Sequence, residues 1–188
     1  MTGTIFLDRD GVINRKPEEG SYVTRFSDFV LLPGVAMALQ RLSAAGVRTV
    51  IVTNQRVVAR GLLTSAELRA IHARMVDVLG AAGARIDAVY ACEHEIDACE
   101  CRKPATGLFL RAKREIPAID FACSMVIGDS ASDLEPGHEL GCGLVLVGPD
   151  ARREYELLRL RARGIEVQFS APSLAEAVAF VLATRTSA

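Results

Sequence analysis

The stretch TIFLDRDG, Thr4 to Gly11, decides the fold. A short apolar run ends abruptly in two aspartates set two residues apart, with a glycine behind them. An uninterrupted apolar run of this length reads as a strand buried on both faces. The same pattern recurs in VRTVIVTN (Val47 to Asn54), AVYAC (Ala88 to Cys92), SMVIGD (Ser124 to Asp129) and GLVLVG (Gly143 to Gly148). Between these runs the apolar residues take helical spacing. Val35 to Ala45 carries Val35, Ala38, Leu39 and Leu42 on one face, with Gly46 as a stop. Thr64 to Leu79 carries Leu68, Ile71, Met75 and Leu79; Thr64 or Ser65 is placed to cap it, and Glu67 to complete a capping box. Thr106 to Arg114 and the charged Ala151 to Arg163 also read as helical. A last helix covers Ser173 to Ala183, capped by Ser173, and Ser187 and Ala188 are expected to fray. Buried strands alternating with helices predict an α/β fold, a Rossmann-like, doubly wound parallel sheet covered on both faces.

The bulk numbers bound the function. A chain of 188 residues suits a single domain, 1–188, with a full core. Half the residues are hydrophobic and 24% are charged, with a net charge of -1, so nothing electrostatic calls for a nucleic acid or an anionic membrane. The absence of Trp and the three Tyr also count against a polynucleotide partner. No apolar run approaches the roughly 20 residues of a membrane span, and the start lacks the pattern of a signal peptide. The expectation is a cytoplasmic monomer acting on a small phosphorylated metabolite. Five cysteines, an odd number without an export signal, argue against a disulfide framework.

Ligands of open parallel sheets bind beyond the carboxyl ends of the strands. Here the strands end at Asp8 and Asp10, at Thr53 and Asn54, at Cys92 and His94, and at Asp129 with Asp133 behind it. Each alone is compatible with a turn residue. Sharing one edge, Asp8, Asp10 and Asp129 would repel one another unless a cation sat among them, and hard oxygen donors favour magnesium. The segment CEHEIDACEC brings Cys92, His94, Cys99 and Cys101 within ten residues. Three thiolates and an imidazole suit a closed, structural zinc site, which would shape the loop leading into Arg102 and Lys103. Cys123 and Cys142 read as small buried residues, and His72 and His138 have no ligand company in the sequence.

DRDGV (Asp8 to Val12), VTN (Val52 to Asn54), RKP (Arg102 to Pro104) and GDSASD (Gly128 to Asp133) together resemble the motifs of the haloacid dehalogenase-like phosphatases, over roughly residues 4 to 150. The resemblance implies that Asp8 attacks phosphorus and that Asp10 serves as acid and then base. It implies magnesium held by the Asp8 and Asp129 carboxylates and the Asp10 carbonyl. Thr53 and Asn54 would hold phosphate oxygens, Lys103 would balance charge, and Arg102 would meet a substrate anion. Asp133 would orient either Lys103 or a metal-bound water.

The zinc loop, DRDGVIN, Ser21, Tyr22, the TNQ ending at Gln55, and Ala59 to Gly61 are similar to the branch holding heptose 1,7-bisphosphate phosphatases and histidinol-phosphate phosphatases. The first of these, in nucleotide-activated heptose synthesis, is favoured, with histidine biosynthesis as the alternative. Arg56, Val57 and Val58 stand where that branch has Ser-Gly-Ile, and Glu93 and Glu95 flank His94 in place of Pro and His. Arg56 reads either as a receptor for a second phosphate or as a solvated charge. No segment is long enough for a cap domain, so the loops Arg15 to Tyr22, Gln55 to Leu63 and the metal loop should choose the substrate across an open, capless site.

Overall fold

A computed structural model describes residues 3–18 and 20–186. The expected fraying at Ser187 and Ala188 lies outside the described residues. Six strands form one all-parallel sheet: β1 (Thr4–Leu7), β2 (Arg48–Asn54), β3 (Ala88–Cys92), β4 (Met125–Gly128), β5 (Gly143–Val147) and β6 (Phe169–Ala171), in the order β3-β2-β1-β4-β5-β6. The helices are α1 (Val35–Ala44), α2 (Ser65–Ala81), α3 (Gly107–Glu115), α4 (Ala131–Glu139), α5 (Asp150–Arg161) and α6 (Leu174–Thr186). Between β1 and β2 there is, besides α1, only the 3-10 turn Phe26–Asp28, and between β2 and β3 only α2. The site is therefore capless among the described residues, and no helix there is long and apolar enough to cross a membrane.

The pleat explains the double winding. Ile5 and Leu7 face one core with Leu39 and Leu42 of α1, Met75 of α2 and Val178 of α6. Phe6 points the other way, into a core with Phe109 of α3, Leu134 of α4 and Leu160 of α5. Alternate residues of a strand face opposite sides, so a strand buried on both sides needs apolar residues at every position. That is why these strands read as solid runs.

The chain winds outward from β1 in one direction through β2 and β3, then reverses to β4, β5 and β6. The reversal leaves a crevice at the carboxyl ends of β1 and β4, where such sheets bind ligands. The peptide N–H of Asp8 donates to the Ile127 carbonyl at 3.1 Å, carrying the β1–β4 pairing up to Asp8.

The predicted elements are present, with ends shifted by a few residues. Thr64 and Glu67 form the expected capping box on α2, and Ser173 Oγ accepts from the Glu176 N–H. Two elements had no clear pattern in the sequence. Helix α4 contains Pro136 and Gly137, both poor helix residues. Packing forms it: a Cβ on Gly137 would stand 2.6 Å from Val126 and 2.8 Å from Leu144, so only glycine lets this helix lie so close to the sheet. Strand β6 has three residues, too few to show a period. Cys142 is buried as expected, but Cys123 is exposed, because it ends a 3-10 turn that brings the chain back to β4.

Candidate active site

Asp8 follows β1 directly, and its carboxylate accepts from Lys103 Nζ at 2.7 Å. The Lys103 ammonium has two further acceptors at 2.7 Å, Asp133 Oδ1 and the Val52 carbonyl. Its side chain is 1% exposed, so all three N–H donors are satisfied inside protein. Burial alone would lower the Lys103 pKa, but Asp133 and Asp8 outweigh it and raise the value. Asp133 is held below the usual carboxylate range by Lys103 and Ser130, against the effect of its own burial. It also accepts from the Ser130 N–H and hydroxyl at the start of α4. Of the two roles implied for Asp133, the one it visibly fills is holding Lys103.

Asp8 itself is pushed up to about 7. Burial raises it, Lys103 opposes that, and the carboxylates of Asp133, Asp129 and Asp10 add to the rise. Asp129, beyond β4, is pushed up to about 6 by burial and Asp133, against Lys16 and Arg152. Oxygens of Asp8, Asp129 and Asp133 lie within 4.8 Å of one another. Asp8 and Asp129 resist ionising side by side while Lys103 keeps Asp133 low, and such an all-oxygen set fits a hard divalent cation. With Asp133 engaged by Lys103, Asp8 and Asp129 are the members of this group that could hold magnesium. Gly11, with φ +94, closes the turn behind them; a Cβ there would stand 2.4 Å from Asp129 Oδ2.

Asp10 has the opposite environment. Its carboxylate accepts from Arg9 Nε at 3.1 Å, from Arg9 Nη2 at 2.8 and 2.9 Å, from Asn14 Nδ2 at 2.8 Å and from Gln55 Nε2 at 2.8 Å. Burial would raise its pKa, but Arg9, Asn14 and Gln55 together hold it below the usual range. Gln55, expected to face substrate, is buried and spends its amide on Asp10 and on Thr53 Oγ1, at 3.0 Å. Asn54 lines the cleft, but its amide closes two hydrogen bonds with the Lys103 peptide, at 2.9 and 3.0 Å. Both residues brace the site from β2, because the parallel register sets the end of that strand beside β1.

Two pockets that share Asp10, Lys16, Asn54 and Arg102 in their walls adjoin here, one reaching Asp8, Thr53 and Lys103 and the other Ser21, Tyr22 and Arg56, and together they form the cleft. Arg56 Nε donates to the Tyr22 hydroxyl at 2.8 Å, and its Nη1 lies 3.4 Å from Glu95. It is therefore a braced residue of the cleft wall and not a freely solvated charge. Arg102 Nη1 is buried without a hydrogen-bond partner. Lys16 Nζ reaches both oxygens of Asp129, at 2.8 and 2.9 Å, and Arg152 of α5 reaches its Oδ2 at 3.1 Å. Nothing in the sequence assigns a role to these two cations or to Arg9, although Arg9 lies inside DRDG and Lys16 in the loop expected to choose the substrate.

At the end of β3, the Cys92, Cys99 and Cys101 sulfurs lie 3.2–3.5 Å apart, with His94 Nδ1 3.2 Å from Cys101 Sγ and 3.7 Å from Cys92 Sγ. Four soft donors gathered around one point fit zinc, with no position left open for a substrate.

His72 of α2, set aside in the sequence reading, is 7% exposed and lies 3.0 Å from Arg9 Nη1. Burial and then Arg9 push it down to about 4. A base whose folded pKa is depressed contributes stability that is present above the unfolded value of 6.5 and lost as pH falls to about 4. The contribution is about 3 kcal/mol at most. Asp8 and Asp129 shift with the opposite sign, but equally in a His72→Gln variant. Urea unfolding at both ends of this window is expected to show the parent losing more stability than His72→Gln; parallel losses would contradict this.

The comparisons with known proteins agree with this geometry. The family described as polynucleotide kinase 3 phosphatase matches residues 4–173. The D-glycero-beta-D-manno-heptose-1,7-bisphosphate 7-phosphatase of Rhodopseudomonas palustris is 43% identical over 144 residues, spanning 72% of this chain and 78% of that protein. The D-glycero-alpha-D-manno-heptose-1,7-bisphosphate 7-phosphatase of Mycobacterium bovis is 41% identical over 150 residues, spanning 77% and 78%. In three dimensions, the D,D-heptose 1,7-bisphosphate phosphatase of B. bronchiseptica, complexed with magnesium and phosphate, matches with a TM-score of 0.85 at 33% identity, covering 97% of this chain and 99% of that one. With half of the chain far exceeded in the family match and its site residues gathered at one sheet edge, the chain belongs to the polynucleotide kinase 3 phosphatase family and, among the haloacid dehalogenase-like phosphatases, to the heptose bisphosphate phosphatase branch.

Proposed function

We propose that this protein removes the 7-phosphate of D-glycero-D-manno-heptose 1,7-bisphosphate, through a phosphoryl group carried on Asp8. The observation that carries the reading is the arrangement of charge along one cleft. At one end stand Asp8 and Lys103; further along stands Arg102, with a buried donor that has no partner, and then Arg56. A substrate with two phosphates gives both ends an anion. The names of the relatives support the sugar.

In the first half-reaction an Asp8 oxygen attacks phosphorus and the bond from phosphorus to the sugar oxygen breaks. Asp10 gives that oxygen a proton. In the second half-reaction Asp10 takes a proton from water as the water oxygen attacks phosphorus, which releases inorganic phosphate and restores the Asp8 carboxylate. In the free site Asp10 is held as carboxylate, the form the second half needs. The dianionic substrate beside it favours the protonated form for the first. The Lys103 donor that Asp8 now accepts would pass to the phosphoryl oxygens as Asp8 bonds to phosphorus, beside the Thr53 hydroxyl. Magnesium, when bound by Asp8, Asp129 and the Asp10 carbonyl, supplies further positive charge there. On this reading the chain works as a single domain and a monomer in the cytoplasm, and its product, a heptose 1-phosphate, enters nucleotide-activated heptose synthesis. Cys92, His94, Cys99 and Cys101 would hold a zinc ion, which would tie the end of β3 to the loop carrying Arg102 and Lys103.

Phosphate release with magnesium, measured on both anomers of the heptose bisphosphate and on histidinol phosphate, is expected to favour a bisphosphate. It should fall by more than about a thousandfold in Asp8→Asn. Preference for histidinol phosphate would move the protein to that substrate, and turnover by Asp8→Asn at the parent's rate would sink the covalent route. Removing zinc with a chelator is expected to lower the melting temperature; an unchanged value after verified metal removal would contradict the structural role.

A further inference from the structure

The Arg9 guanidinium is 1% exposed and has only N–H donors to offer. Three of its contacts go to the Asp10 carboxylate, and Nη1 goes to His72 Nε2 at 3.0 Å. Since arginine cannot accept, Nε2 must, and His72 is therefore neutral with its proton on Nδ1. The Phe29 ring lies 5.9 Å from the guanidinium carbon. Asp10 is thus held on one side by Asn14 and Gln55, and on the other by an arginine whose own angle is set by His72.

We propose that His72 is a positioning residue for phosphoryl transfer: through Arg9 it fixes where the Asp10 carboxyl group meets the leaving oxygen. Nothing in His72 touches the substrate cleft, whose lining includes Arg9 and Asp10 but not His72. Its effect on the reaction passes through Arg9. Without an acceptor at Nε2, a buried guanidinium N–H has no partner, and leaving such a donor unsatisfied is costly. The guanidinium turns toward another acceptor, and the three contacts that define the Asp10 carboxylate plane turn with it. General acids contribute about 10²- to 10⁴-fold, and a displacement of about 1 Å forfeits much of that.

The inference rests on Asp10 being the acid, and its test separates the two claims. The quantity kcat/KM reports steps up to the transfer of phosphorus to Asp8. In that transfer a sugar alkoxide needs a proton from the acid, whereas p-nitrophenolate leaves without one. For His72→Leu, kcat/KM on the heptose bisphosphate is expected to fall about 10- to 100-fold, mostly in kcat. On p-nitrophenyl phosphate it should stay within about threefold of the parent, because that step draws nothing from the acid. His72→Gln, which places an amide oxygen near the position of Nε2, is expected to restore the sugar reaction. Should His72→Leu fail to fold, His72→Asn, too short to reach Arg9, takes its place.

Equal losses on both substrates, no loss on the sugar, or no rescue by His72→Gln would each overturn the proposal. Asp10→Asn serves as the reference. If it lacks the selective loss on the sugar phosphate, the assignment of the acid fails. If it shows that loss and the His72 variant does not, the role of His72 alone fails.

Discussion

One buried ammonium group organises this site. Lys103 Nζ sits between Asp8 and Asp133 with the Val52 carbonyl as its third acceptor, so β1, β2 and the start of α4 all close on one positive charge. Remove it and two carboxylates remain buried side by side, at a cost of several kcal/mol. Keep it and Asp8 is fixed in position, without its charge being fully quenched. Burial, with the surrounding carboxylates behind it, still pushes Asp8 up to about 7 against Lys103, and a further cation beside it would favour its charged form. The reciprocal bonds between Asn54 and the Lys103 peptide hold the lysine's backbone, and the cysteine loop just before it holds its approach.

Two aspartates only two residues apart are given opposite characters by what surrounds them. Asp8 is buried among carboxylates and is pushed up; Asp10 lies among N–H donors and is held down. A cation held beside Asp8 and a dianionic substrate beside Asp10 would each turn its residue back toward the form its task needs. The backbone makes the division possible: Asp8 still belongs to the sheet edge through its bond to Ile127, whereas Asp10 lies in the turn that Gly11 closes, with its side chain aimed at Arg9.

Much of this was legible in the sequence because it is local. TIFLDRDG carries both the strand and the aspartates, and CEHEIDACEC carries all four soft ligands in ten residues. What the sequence withheld is non-local. Lys16 and Arg152 meet Asp129 from 113 and 23 residues away, and no spacing rule signals either contact. His72 had no ligand company in the sequence, and only the fold sets it against Arg9. Gln55 was expected to face a ligand from the TNQ motif; it lines the cleft, and its amide also reaches Asp10, a contact no spacing rule signals. Helix α4 was hidden by Pro136 and Gly137, since propensity is a weak guide where packing decides.

The central claim is that this buried arrangement makes Asp8 a nucleophile. The stereochemical course at phosphorus, followed with an oxygen-isotope-labelled chiral phosphorothioate on the sugar hydrolysed in water of the third oxygen isotope, tests it most directly. Two successive in-line displacements, onto Asp8 and then onto water, predict overall retention of configuration. Inversion would mean that water attacks the substrate directly and that Asp8 never carries the phosphoryl group.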